Sequence, residues 1–561
     1  MLNYAQFYQP GVPTHIELPT TSLADMCETA IAQSPDRIAL DFFGRATTYA
    51  QLGDQISRVA EGLNRLGVRA GDRVALILPN CPQHVIAFYA ILRLGAIVVE
   101  HNPLYTSREL RHLFEDHAAR VAIVWDAAVE KLQHQPEDIE LKHIISVNML
   151  SEFPLSKRLA LKLPLPTLKA TRSKLTAKVS GTMEWKDLLK HRPLKKSHPR
   201  PKVSDIAAIQ YTSGTTGQPK GAILTHLNLH SNARQGKAWM PETKLGHEVF
   251  YAFLPFFHAF GTTVLLVYGI LQQARIHLFP TFDPSLVLAA AKKDPPTVLV
   301  GVPPIFEALA IAAKKRKISF KTAKFCLSGA MSLPQSTMES WETIAGGYLV
   351  EGYGMTESSP VSLGNPFHHT RRPGTVGLPF PSTQIKVVEA DNPNQEVRQG
   401  ERGELLVRGP QVFQGYWNNP EETAKTLLPG GWLATGDIVI QDPDGFTAVV
   451  DRKKELIITS GFNVSPTEVE IIMKSHPGIA DAAVVALPHP YSGEEVVAAV
   501  VMNPGETLDV QELRTFCKAR LAAYKVPRRF FPVETLPKSV IGKVLRGQVR
   551  TDLMGEAKKA E

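Results

Sequence analysis

Apolar residues fall in short runs through the first two-thirds of the chain, separated by segments with helical spacing. Residues 73–78, RVALIL, form one run that ends at the turn Pro79-Asn80. Residues 83–94 follow with a helical pattern, and 121–124, VAIV, is the next run. Strand, helix, strand in that order predicts a parallel sheet covered by helices. The rhythm recurs over 203–380, with predicted strands near 298–302 and 324–327. From about 381 the runs shorten and turn signals come closer together, as around GELLVR at 403–408, which predicts a smaller β-rich unit. After Asp451 a helix at 466–474, strands at 481–487 and 495–502 and a helix at 510–521 predict a compact α/β piece. The expected fold class is therefore α/β. A large N-terminal domain, 1–450, holds α/β segments at about 20–200 and 203–380 and a β-rich segment at about 381–450. A small C-terminal domain follows at 451–561.

Length and composition agree with this division. A chain of 561 residues is too long for one ordinary core. The 44% apolar content is that of a soluble globular protein. The most apolar stretch, 260–271, is shorter than the roughly 18–20 residues of a spanning helix and carries Thr262 and Thr263. Cys27, Cys81, Cys326 and Cys517 are scattered with no CxxC pair, which argues against zinc and disulfides and fits a reducing cytosol. The first nineteen residues are polar and broken by proline, unlike a secretory signal.

Charge is unevenly placed. The net charge is +8, but 151–200 alone carries thirteen Lys or Arg against Glu152, Glu184 and Asp187. That segment has a net charge of +10 and the rest of the chain −2. Only Phe153 and Trp185 could stack on bases there, so no nucleic-acid partner is expected. Leu155, Leu159, Leu161, Leu163 and Leu165 alternate with Lys157, Arg158 and Lys162. Such a basic, leucine-rich element suits the surface of an anionic membrane. The alternative is a solvated charged excursion.

The clearest chemistry lies at 211–221, YTSGTTGQPKG. Thr212, Ser213, Thr215 and Thr216 supply hydroxyls, Gly214, Gly217 and Gly221 supply backbone freedom, and Lys220 supplies charge. An apolar run at 206–209 precedes the loop and another at 222–224 follows it. Glycines let backbone N–H groups turn toward phosphate oxygens, and hydroxyls and lysine add donors. The spacing is not that of a Walker A loop. The stretch resembles the signature loop of the adenylate-forming ligases, which include acyl-CoA synthetases, luciferases and peptide-synthetase adenylation domains.

Further segments fit that family in order. Glu351-Gly352-Tyr353-Gly354-Met355-Thr356-Glu357 matches its adenine and metal segment. The resemblance implies that Tyr353 stacks on adenine, and that Glu357 and Thr215 bind Mg²⁺, a hard cation suited to carboxylate and phosphate oxygens. Gly329 and Ala330, after Ser328, resemble a second adenine-side turn. Asp437, in Thr435-Gly436-Asp437, and Arg452 take the family's ribose-binding positions. Leu433-Ala434 departs slightly from the pattern before that aspartate. Lys543, in LPKSVIGK at 536–543, takes the place of the catalytic lysine. Gly461 falls where the pantetheine arm of CoA would pass. By the same resemblance Asp451 is a hinge, and 451–561 a mobile lid that alternates between the two half-reactions. Arg408-Gly409-Pro410 and Gly415-Tyr416-Trp417 also match and read as structural.

For the substrate, 255–261, PFFHAFG, resembles the wall of the carboxylate pocket. No Asp stands from 254 to 263 to hold an amino group, which favours an acid over an amino acid. His258 is the catalytic candidate there; a core histidine is its plainer reading. Residues 454–468, 409–417 and the basic segment 151–200 all resemble bacterial long-chain fatty acid:CoA ligases. The implied activity is AMP-forming ligation of a fatty acid to CoA, with ATP and Mg²⁺, in the cytoplasm or at the inner face of the membrane. A homodimer is compatible with the sequence. Rival readings are a same-fold ligase for medium-chain or aryl acids, one that loads a carrier protein, a luciferase-like oxygenase, or a non-catalytic scaffold. The intact Thr215, Glu357, Asp437, Arg452 and Lys543 argue against the scaffold.

Overall fold

The computed structural model describes residues 4–133, 139–212, 219–459, 462–489, 493–539 and 542–560. The chain gathers into two compact units, Asn3–Gln384 with Val407–Leu433, and Ile385–Leu406 with Ala434–Glu561. Asp451, the expected boundary, falls inside the second of them.

The first unit holds two large sheets. One has seven strands, in the order Met183–Glu184, His143–Val147, Val121–Trp125, Arg73–Ile77, Ile97–Glu100, Ile206–Thr212 and Lys220–Thr225. All pairs are parallel except the last, an antiparallel hairpin. Its central strands are buried apolar runs, as a sheet covered on both faces requires. The helix Pro82–Arg93 is buried along its whole length, including the polar Gln83 and His84.

The other sheet has nine strands, in the order Leu378–Pro379, Val361–Gly364, Leu349–Gly354, Phe325–Ser328, Val298–Gly301, Val249–Ala252, Arg275–Leu278, Ile38–Phe42 and Arg45–Thr48. The strands from Leu349–Gly354 through Ile38–Phe42 are mutually parallel. Here the structure departs from a division at about 20–200 and 203–380. The hairpin from 38–48 forms the edge of the nine-stranded sheet, and the hairpin from 206–225 closes the seven-stranded one. Each segment lends a hairpin to the other's sheet, pairing an edge that would otherwise stay open.

Parallel strands place their C-terminal ends on one edge, where ligands of open α/β sheets bind. The segments 254–260, 329–330 and 355–358 each follow a strand of the nine-stranded sheet at that edge.

In the second unit Asn392–Glu396, Gln384–Glu389, Arg402–Arg408 and Trp432–Gln441 lie side by side, and Thr447–Arg452 pairs with Trp432–Gln441. Beyond them Ile479–His489 and Gly493–Met502 form a long antiparallel pair, joined by Arg529–Pro532 and the hairpin Ile457–Thr459/Phe462–Val464. Helix Pro466–Lys474, capped by Ser465, packs its Val469 and Met473 into the core with Val484, Val496, Ala498 and Val500.

All four cysteines are free and buried. Burial pushes the thiols of Cys81 and Cys326 up to about 12 and that of Cys517 to about 11, and raises that of Cys27 further. Among the described residues no helix is long and apolar enough to cross a membrane.

Candidate active site

The glycine- and hydroxyl-rich loop is a hairpin connection. Ile206–Thr212 leads in and Lys220–Thr225 leads out, with Thr212 opposite Lys220 and Tyr211 opposite Gly221. Ser213, Gly214, Thr215, Thr216 and Gly217 lie outside the described residues, as does Gly461. The root of the loop is fixed by Tyr211, whose hydroxyl donates to the Asp116 carboxylate at 2.6 Å. Lys220 forms an ion pair with Glu422. Together with Lys425, this partner holds the Glu422 carboxyl down at about 2.

The segments expected on the adenine side meet as the parallel edge requires. Ala330 adopts φ +63° after the strand Phe325–Ser328. A Cβ on Gly329 would lie 3.0 Å from the Phe260 ring and 3.3 Å from the Gly352 carbonyl oxygen. The turn at 329–330, the end of Leu349–Gly354 and the wall segment 255–261 are therefore in contact. Gly354 must be glycine, because a Cβ would sit 1.7 Å from the Pro360 carbonyl oxygen. Tyr353, Met355 and Thr356 are half-buried along this stretch. Glu351 is buried, accepts the Leu333 N–H at 3.2 Å, and has its carboxyl pushed up to about 8 by desolvation.

Glu357 is 5% exposed and accepts the Tyr416 hydroxyl at 2.6 Å. Among the described residues no group of three or more His, Cys, Asp or Glu could hold a metal ion. A lone buried carboxylate still fits Mg²⁺, which is commonly held by one or two carboxylates together with substrate phosphates.

The wall segment is clamped from outside. The Asn80 amide donates to the Ala252 and Leu254 carbonyls at 2.9 and 2.8 Å, and its oxygen accepts the Phe256 N–H at 2.8 Å. His258 accepts the Phe260 N–H on Nδ1 at 3.2 Å, so its proton sits on Nε2. Burial pushes it down to about 4, leaving a neutral ring. In the sequence Asn80 reads only as part of a turn and Tyr416 only as structural. Their partners lie far along the chain, so no local spacing could reveal them.

In the second unit Asp437 and Arg452 stand opposite each other on paired strands, with Arg452 Nε 3.2 Å from Asp437 Oδ1. The aspartate side chain is 7% exposed and the arginine 42%. Lys543 follows Gly542, whose φ of +82° turns the backbone so that the Ser539 N–H donates to the Lys543 carbonyl at 2.7 Å. Its ammonium is pushed down to about 8, first by burial and then by Arg452, against the opposing pull of Glu455 and Asp437. Asp437, Arg452 and Lys543 thus share one electrostatic neighbourhood.

Comparison with known proteins gives this arrangement a family. The chain belongs to the AMP-binding enzymes: the family's main domain matches residues 27–417 and its C-terminal domain 468–543. It is 36% identical over 544 residues to a long-chain-fatty-acid–CoA ligase of Bacillus subtilis, covering 96% of each chain. It is 36% identical over 556 residues to one of Escherichia coli O157:H7, covering 98% of each. Among solved structures, an anthranilate CoA ligase in complex with anthranoyl-AMP matches with a TM-score of 0.81 at 25% identity, over 96% of this chain and 99% of that one.

Proposed function

We propose that the chain is an AMP-forming fatty acid:CoA ligase that prefers long chains. The full-length identity with long-chain-fatty-acid–CoA ligases supports this most directly. The wall segment 254–263, which carries no Asp or Glu, suits an acid without an amino group.

In the first step the ionised fatty carboxylate attacks the α-phosphate of ATP, forming the acyl–phosphate bond as pyrophosphate leaves. The carboxylate needs no base. Lys543 donates to the charge that builds on the phosphate oxygens. Asp437 and Arg452 hold the ribose, and Tyr353 the adenine. Glu357, with Thr215, is the residue set for Mg²⁺, which when bound would neutralise phosphate charge. His258, neutral with its proton on Nε2, offers a donor beside the carboxylate. In the second step the CoA thiolate attacks the acyl carbonyl, and AMP leaves with the bonding electrons. Reorientation of the C-terminal domain about Asp451 would exchange Lys543 for the segment around Gly461 between steps, and keep the reactive anhydride from water.

Peripheral contact with an anionic membrane through 151–200 belongs to the same proposal. Leu155, Leu159, Leu163 and Leu165 are all more than half exposed there.

The test is AMP release over acids of graded length, with and without CoA. Each buried CH₂ contributes about 0.8 kcal/mol, so the eight methylenes that separate an eight-carbon from a sixteen-carbon acid have a ceiling of about 6 kcal/mol. Acids of twelve to eighteen carbons should exceed a six-carbon acid in kcat/KM by at least roughly tenfold, well inside that ceiling. A preference for aryl acids would instead align the chain with ligases such as the anthranilate enzyme.

A further inference from the structure

Gly415-Tyr416-Trp417 enters none of the steps above, yet the fold lays it directly against two of the proposed nucleotide elements. Residues 413–417 run beside Lys220–Thr225, the strand that leaves the phosphate loop. The Ile223 N–H donates to the Gly415 carbonyl at 2.9 Å, Gln414 N–H to Ile223 at 3.2 Å, and Trp417 N–H to Gly221 at 2.7 Å. The same segment grips Glu357 twice. The Phe413 N–H donates to the Glu357 carbonyl at 2.8 Å, and the Tyr416 hydroxyl donates to Glu357 Oε1 at 2.6 Å. Tyr416 is itself anchored, its N–H donating to Thr423 Oγ1 at 2.9 Å, and it is 8% exposed.

We propose that Tyr416 is a positioning residue for Glu357: its hydroxyl fixes the rotation of the carboxylate, and so the orientation in which that group would meet a magnesium ion. This rests on the reading of Glu357 as the carboxylate for MgATP. The chemistry favours such a partner. A buried carboxylate needs a donor, and a neutral hydroxyl supplies one while leaving the negative charge for a cation. A lysine or arginine in its place would neutralise that charge. Lys220, whose ammonium lies 5.4 Å from the Tyr416 ring centroid, is instead paired with Glu422. Tyr416 thereby couples the metal carboxylate to the strand that carries the loop lysine.

The experiment is ATP binding by the full-length protein, measured calorimetrically at graded Mg²⁺ concentrations. Tyr416→Phe keeps the ring and removes only the hydroxyl. It should raise the Mg²⁺ concentration for half-maximal binding by roughly ten- to hundredfold, the usual effect of losing a partner behind a metal ligand. ATP affinity at saturating Mg²⁺ and the melting temperature should stay close to wild type. Glu357→Gln should raise the midpoint at least as far. A wild-type midpoint for Tyr416→Phe beside a shifted Glu357→Gln would reduce Tyr416 to packing and overturn the proposal. Equal loss of ATP affinity at every Mg²⁺ concentration would overturn it too, as a general effect on the site. If Glu357→Gln itself titrates like wild type, the assignment of Glu357 falls and the proposal falls with it.

Discussion

Lys543 keeps its ammonium in a place where burial and Arg452 both work against the charge. Its proton leaves near pH 8 instead of above 10. In the proposed reaction the protonated form is the donor in adenylation, so the sign is fixed. kcat/KM for ATP, which reports the free enzyme, should be level below about pH 8 and fall as pH rises through it. Lys543→Arg should be slower but should lose that alkaline limb, because guanidinium stays charged. An unchanged alkaline limb in the arginine variant would assign the titration to another group. Lys543→Ala should slow adenylation by roughly two to three orders of magnitude, while thioester formation from supplied acyl-AMP persists. Equal loss in both steps would refute the exchange of orientations. Motif order makes Lys543, Asp437 and Arg452 legible in the sequence, and the fold puts them in one neighbourhood. Asn80 and Tyr416 are not legible there, because a lone amide or phenol has no pattern until its distant partner is known.

Two basic helices define the next scale. Leu155–Ala160 and Pro166–Leu175 contain no buried residue. Both ends of this excursion are nonetheless tied down. Phe153 packs against Phe42 and Phe43 with centroids 5.2 and 4.6 Å apart, and Trp125 Nε1–H donates to the Leu175 carbonyl at 2.9 Å. Between those feet lie the exposed leucines and basic side chains. Lys157 is partly withdrawn, since its ammonium donates to the Phe43 carbonyl at 2.8 Å. Arg158, Lys162, Lys169 and Arg172 are therefore the better residues to neutralise. Their replacement by Gln should weaken binding to anionic vesicles and flatten its decline with salt, at about 1 kcal/mol per basic residue near the surface and a Debye length of about 8 Å. Leu155, Leu159, Leu163 and Leu165 changed to Ser should weaken binding to neutral and anionic vesicles alike. Equal partition of wild type to both vesicle types would leave a solvated excursion. Periodicity located elements such as Pro466–Lys474 well, because one face of that helix is apolar. It could not show that the hairpins at 38–48 and 206–225 change sheets, because strand partners are chosen by long-range closure of edges.

For the whole molecule, a buried neutral carboxyl couples stability to pH. Glu351 goes from an ordinary 4.5 in the unfolded chain to about 8 in the fold. The unfolded chain releases that proton first. Stability from this group is thus complete below about 4.5 and is lost as pH rises through about 8. Glu351→Gln mimics the protonated form and can still accept the Leu333 N–H. Its melting temperature should rise relative to wild type between pH 5 and 8, and a parallel decline in both proteins would show that Glu351 does not stay protonated.

The four buried, protonated cysteines have a consequence for chemical bookkeeping in the proposed reaction. Its acceptor is a thiol and its product a thioester. An exposed thiolate on the enzyme could capture the acyl group by exchange or form a mixed disulfide with the acceptor. Here each cysteine sulfur is both hidden and far from ionisation near neutral pH. The acyl group meets a single competent sulfur nucleophile, the one the substrate brings.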